Sequence, residues 1–199
     1  LGIGANTAMF SLAEATLLRP VKVAQPERLV SWTWTSAYPD FLNYMTLTDT
    51  FEGVMAWSGG SRVNVVVDGP SELATATYFS GNAFNVLGVG AALGRVMLPS
   101  DDVRNGPIVA VLSYDLWQSR FGGDEHVIGR SLQINNQPVT VVGVAQRGFR
   151  GTTLPSTPAI YLPVGAASQI RGGFFSRPQV YETTNFVWLN VIGRMRDGI

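Results

Sequence analysis

Cysteine is absent from the 199 residues. That removes disulfides, zinc–thiolate sites and cysteine nucleophiles together, and it leaves the compartment open. Lysine occurs once, at Lys22, and histidine once, at His126. A Walker loop needs Gly-Lys-Ser/Thr, and Lys22 is followed by Val23, so that route to ATP hydrolysis is closed. GIGANT and GVGAALG have suggestive glycines, but neither completes G-x-G-x-x-G after a strand and before a helix. Net charge is also missing. Fourteen bases balance fourteen acids, and the arginines are scattered singly. Nucleic-acid binding calls for a clustered basic footprint, and none is present. Charged residues reach only 14%, whereas hydrophobic residues make up 46%. Such a chain has ample apolar surface to offset the entropy of folding.

Two turn-rich stretches concentrate polar groups. FGGDEHVIGRSL, from position 121, holds the only histidine beside two acids, and a hydrolase could be imagined from His126 with Ser113 or Ser131. No G-x-S-x-G elbow accompanies them. Gly122 and Gly123 suit a left-handed helix stop, and Gly129 suits a tight turn. The stretch therefore reads as a connector with His126 on the surface. LPSDDVRNGP carries the adjacent pair Asp101–Asp102. A calcium site is one reading, but Ser and Asp in this setting are first of all turn formers. No catalytic, cofactor-binding or metal-ligating residue is assigned.

Hydrophobic periodicity predicts a mixed α/β (α+β) chain of many short strands with interspersed helices. LVSWTWT (29–35) alternates as a half-buried strand. SAYPDFLNYM follows as a helix, with Ser36 as cap and Pro39 in the first turn. VNVVV (63–67), the DGP turn and ELATATYF form a hairpin. SGNAFNVLGVG is a short helix starting near Ser80 and stopped by Gly88. Residues 108–112 form a buried strand, Ser113 a cap, and 114–121 a helix bringing Leu116, Trp117 and Phe121 to one side. SLQINNQPVTVVGV is a hairpin around Asn135–Asn136. AIYLPV and NFVWLNVIGRM are further strands. Residues 165–184, rich in glycine, read as an irregular surface excursion. The pattern changes near residue 91. Residues 1–18 are mostly apolar and stop at Arg19–Pro20, which fits either an amphipathic helix or the outer half of a membrane span. Both ends read as cut from a longer chain.

Taken in order, GIGANTAMFSLAEATLLRP, YPDFLNY, TFEGVMAW, YFSGNAFNVLGVGAALGRVMLPSDD, VAVLSYDLWQSRFGGDEHVIGRSLQINNQPVTVVGV and WLNVIGRMRDGI resemble the MacB-like periplasmic core domain of ABC transporter permeases. Within that superfamily they are most similar to the duplicated orphan permeases. The resemblance spans nearly the whole chain. It implies that residues 1–18 are the outer part of a transmembrane helix, and that the rest forms a two-lobed extracytoplasmic domain. A porter-like βαβ subdomain would take residues 20–90 and 185–199, incomplete at its C-terminus. An inserted, sabre-like α/β subdomain would take 91–184. The implied function is non-catalytic. The domain would sit on the periplasmic side of the cell inner membrane and work by mechanotransmission, passing on conformational change and contacting cargo or partner proteins. Its partners would be the membrane, a cytoplasmic ATPase outside this chain and another permease copy in a dimeric assembly, with no cofactor and no nucleic acid. The alternatives are a stand-alone extracytoplasmic ligand-binding module and the hydrolase using His126.

If residues 1–18 are a membrane segment, they have no core of their own to cover in the isolated chain. Deleting them then raises solubility and leaves the thermal midpoint nearly unchanged. A large fall in the midpoint would place them in the soluble core instead.

Overall fold

The computed structural model describes residues 22–152 and 157–198. The expected membrane segment over residues 1–18 lies outside them. Among the described residues, no helix is long and apolar enough to cross a membrane. Ten strands form one connected hydrogen-bonded sheet. They are β1 (Leu29–Ser31), β2 (Ser36–Ala37), β3 (Phe51–Val66), β4 (Glu72–Phe79), β5 (Ala91–Gly94), β6 (Ile108–Leu112), β7 (Ser131–Ile134), β8 (Gln137–Ala145), β9 (Ile160–Pro163) and β10 (Val187–Met195). The main path runs β1-β10-β3-β4-β9-β6-β8-β5, with β2 against β10 and β7 bridging β3 and β8. The β4–β9 and β6–β8 pairs are parallel and the others antiparallel. Strands from before and after residue 91 therefore share the sheet. Among the described residues, five short helices accompany the sheet: α1 (Tyr38–Tyr44), α2 (Ala83–Leu87), α3 (Tyr114–Phe121), α4 (Ala167–Ile170) and α5 (Gln179–Glu182).

Successive side chains of a strand point to opposite faces, and here both faces are apolar. Val54, Ala56, Tyr78, Ala110, Leu112, Ile160, Leu162 and Val191 belong to one core. Their strand neighbours Met55, Phe79, Val111, Tyr161 and Ile192 belong to the other. Phe41 of α1, Ala167 and Ile170 of α4, and the inner side of α3 cover the first face. Helix α2 covers the second with Ala83, Phe84, Val86 and Leu87. At its centre, Phe79, Phe84, Phe149 and Tyr161 meet in all six pairwise combinations, with centroids 5.2 to 6.4 Å apart. Buried Arg194 holds α2 to β10. Its Nε donates to Val86 O at 2.6 Å and its Nη2 to Ala24 O at 2.6 Å.

Local signals place several elements well. The Ser113 hydroxyl accepts the Leu116 N–H, and Gly122 ends α3 with φ 62°. Gly88 stops α2 in the left-handed region, although the helix begins at Ala83 and not at Ser80. Asn135 and Asn136, with φ of 47° and 66°, make the β7–β8 turn, as a two-residue hairpin of this type requires.

Three expectations need correction. The first strand covers only Leu29–Ser31, because Trp32 turns into a stack with Tyr44 and Phe51. Ser36 does not cap α1: it is buried in β2, and Ala37 holds the cap position with no side-chain bond. The strand expected at 63–67 is the end of β3, which begins at Phe51; a bulge between Ser58 and Ser61, with Gly60 at φ 76°, breaks its alternation.

The aromatic tetrad gives a direct measure of the second core. Replacing Phe84 by alanine costs about 3–5 kcal/mol. Chemical denaturation of the two chains checks this, and a loss below about 1 kcal/mol would mean that α2 packs loosely on the sheet.

Candidate functional site

The connector at 121–132 carries no assembled chemistry. The His126 side chain is 95% exposed, and its Nδ1 lies 2.8 Å from Asp124 Oδ1. The same carboxylate accepts the His126 backbone N–H at 3.0 Å. Donating to the Asp124 carboxylate raises the His126 pKa, and accepting the two bonds from His126 lowers that of Asp124. Ser113 is occupied in capping α3, and Ser131 is exposed in β7. Neither hydrogen-bonds to His126 among the described residues. Arg130 pairs with Asp68.

The acidic pair divides its work. Asp101 grips Arg95 through both oxygens, at 2.6 and 2.9 Å, and accepts the Leu98 N–H at 2.8 Å. Burial opposes its ionisation, but these bonds prevail and hold its pKa below the ordinary carboxyl value. Asp102 turns the other way. Its Oδ1 accepts the Gly165 N–H at 2.6 Å and its Oδ2 the Gly81 N–H at 3.1 Å. It thereby ties the 98–104 loop to the start of α2 and to the turn after β9. Burial pushes its pKa up, and the two N–H bonds offset this only in part. Both glycines are required by close approach. A Cβ on Gly81 would sit 2.5 Å from Leu98 O, and one on Gly165 would sit 2.9 Å from Arg104 N. Among the described residues, no three His, Cys, Asp or Glu converge.

Residues 165–184 are no irregular excursion. They fold into α4, α5 and single 3-10 turns, and Gly165, Ala166, Ala167, Ser168, Ile170, Val180 and Tyr181 are buried. Composition misleads here because the small residues that suggest a loop are the ones that allow close packing on Asp102 and the 98–104 loop. The segment builds a ladder of rings. Tyr38 of α1 meets Tyr181 at 5.3 Å, Tyr181 meets Trp188 at 5.6 Å, and Trp188 meets Phe175 at 5.2 Å. Phe175 meets Phe174 at 5.7 Å, and Phe174 meets Phe186 at 4.9 Å. Arginines lie over it: Arg104 above Tyr181, Arg171 above Phe175 and Arg177 above Phe174, at 5.3, 3.6 and 5.8 Å. Burial pushes the Tyr181 hydroxyl up to about 12, so it stays protonated. Tyr181 in the ladder is buried, whereas Phe174 opens outward and is 43% exposed. Beside Tyr38 and Asp102 lies a cleft of about 180 Å³, on whose rim Leu42 and Met45 are exposed. Rings and guanidiniums of this kind bind by contact and cation–π attraction. The Phe174–Phe175 pair between glycine and arginine was the sequence signal for this face.

The sequence profile of the MacB-like periplasmic core domain family matches residues 1–199. The chain is 31% identical over 84 residues to the macrolide export ATP-binding/permease protein MacB of two Campylobacter jejuni strains. That alignment covers 41% of this chain and 13% of the relatives, so the matched stretch is a small part of their length. Among solved structures, the periplasmic region of MacB from Actinobacillus actinomycetemcomitans aligns with a TM-score of 0.64 at 17% identity, covering 92% of this chain and 79% of that one. The extracellular domain of the noncanonic ABC-type transporter YknZ from Gram-positive bacteria aligns at 0.61 and 15% identity, covering 85% and 84%. A domain of a putative permease protein from Porphyromonas gingivalis aligns at 0.60 and 14%, covering 86% and 76%. The chain belongs to the MacB-like periplasmic core domain family.

The Asp102 junction has a pH signature. The folded carboxyl keeps its proton to higher pH than the unfolded one, so its contribution to stability falls as pH rises from about 4 through its raised value. Asp102→Ala abolishes that slope. It also leaves two N–H groups without acceptors, at a cost of about 2 kcal/mol. Urea melts of both proteins between pH 4 and 7 check it, and parallel pH profiles would show that Asp102 titrates normally.

Proposed function

We propose that this chain is a non-catalytic relay of an ABC-type transporter permease: it passes on conformational change and meets cargo or partner proteins on its arginine–aromatic face. The match of the family profile along the entire chain carries this reading. The sheet supplies a physical reason. In the proposed division, residues 20–90 with 185–199 form a porter-like subdomain and 91–184 an inserted sabre-like one. The β4–β9 ladder and the Asp102 bond to Gly81 join the two. Parts joined by a continuous ladder move as one body, so a displacement applied at one end is delivered at the other. Residues 1–18 act as the outer part of a transmembrane helix, with the domain on the periplasmic side of the inner membrane. A cytoplasmic ATPase outside this chain supplies the motion, and a second permease copy is its counterpart.

The domain itself holds no cysteine to compete for a label, and any elsewhere in the full-length permease are first replaced by serine. Gln118→Cys on α3 and Gln179→Cys on α5 replace exposed residues. Spin labels are placed there in the full-length permease, reconstituted with its ATPase. The distance within one domain stays constant, and the Gln118 distance between copies shifts when ATP is added. An ATP-independent distance between copies overturns the proposal.

A further inference from the structure

Arg28, Arg130, Arg171 and Arg194 are drawn partly or wholly out of solvent. Three have strong acceptors. Arg28 pairs with Glu52, Arg130 with Asp68, and Arg194 with the carbonyls of Val86 and Ala24. Among the described residues Arg171 has none. Its side-chain hydrogen bond there, from Nη1 to Ser58 Oγ, is long at 3.4 Å. Burial lowers its pKa, and no described carboxylate restores it. A charge withdrawn from water without a partner destabilises the molecule that carries it.

The guanidinium is nevertheless held in position. It stacks on Phe175 at 3.6 Å, with the Tyr78 ring at 5.7 Å. Tyr78 Oη is sealed from solvent and makes no hydrogen bond, with only the neighbouring Ser61 hydroxyl to ease its burial. Ser58 and Ser61 flank the β3 bulge, and a Cβ on Gly60 at its tip would meet nothing within 4 Å. A fixed cation and the Ser58 hydroxyl therefore meet at the foot of the β3 bulge, beside a row of rings in which Phe174 is exposed. The planar guanidinium fork matches a carboxylate. A free anion would have no use for the rings, whereas a polypeptide segment presents an acid and an apolar side chain together.

We infer that Arg171, Ser58 and the β3 bulge receive an acidic side chain of a partner polypeptide, and that Phe174 and Phe175 receive an apolar residue next to it. This rests on reading the face as a contact surface, and names the chemistry of what it contacts.

The test follows the Arg171 guanidinium Nε–H resonance by NMR in the 199-residue chain, assigned by its loss in Arg171→Lys. The probes are N-acetyl-Phe-Glu-amide, its Gln counterpart and acetate, at constant ionic strength. The Glu dipeptide shifts the resonance saturably and binds about tenfold tighter than acetate, while the Gln dipeptide leaves it in place. Phe174→Ala lowers dipeptide affinity to that of acetate. Ser58→Ala weakens binding of both carboxylates, with far-UV circular dichroism confirming that each variant is folded. Absence of a saturable shift overturns the proposal, as does equal binding of the Glu and Gln dipeptides. Equal affinity for acetate and the Glu dipeptide overturns it too, because the site would then take a free anion. The spin-label distances are independent of this titration, so either reading can fail while the other stands.

Discussion

Burial of both faces of one sheet is the constraint from which the rest of this structure follows. A sheet covered on one side needs apolar residues at every second position. Here Met55 lies between Val54 and Ala56, and Tyr161 between Ile160 and Leu162, with every one of them buried. Each such strand must therefore be apolar throughout and must find cover above and below. Short helices provide it. Helix α2 supplies Phe84 to the ring cluster on one face, and α1, α3 and α4 close the other. The low charge content of the chain is the compositional trace of this arrangement.

Covering two faces with short helices leaves many helix ends and turns to be secured, and the molecule secures them with polar groups drawn from far along the chain. Asp102 accepts N–H groups from Gly81 and Gly165. Arg194 donates to carbonyls near residues 24 and 86. Asn135, already placed by its turn, accepts the Asn64 N–H and donates to Ile170 O. The Asp102–Gly81 and Asn135–Asn64 bonds cross between the two parts of the proposed division, and the others brace each part within itself. A domain braced in this way suits the work of carrying motion from one end to the other.

Against this economy of paired groups, the arginine–aromatic face stands out. Its rings are in contact with one another, yet Phe174 opens to solvent, and Arg171 is fixed without a carboxylate partner among the described residues. Stability alone does not explain a charge kept in that state. A surface that exchanges partners does, since what is left unpaired in the free molecule becomes affinity on binding.

Much of this was legible from sequence. Ser113, Gly122 and the apolar positions of 114–121 specify α3 within a single turn at each end, and Asn135–Asn136 specify their hairpin, because caps and turns are decided by neighbours in the chain. The surface position of His126 followed from the same local reasoning. The motif series also carried the family. What the sequence concealed was long-range. The bulge at Gly60 hid the first half of β3, and the small residues of 165–170 looked like a loop until Asp102 and the 98–104 loop were placed beside them. Caps, turns and periodicity determined α3 and the β7–β8 hairpin, because those signals lie within a few residues of the elements they set. Only the tertiary structure decided that Asp102, Gly81 and Gly165 meet, and that Arg171 stands over Phe175 beside Ser58. Those contacts join residues far apart in the chain, whose proximity is set by sheet order and not by local preference.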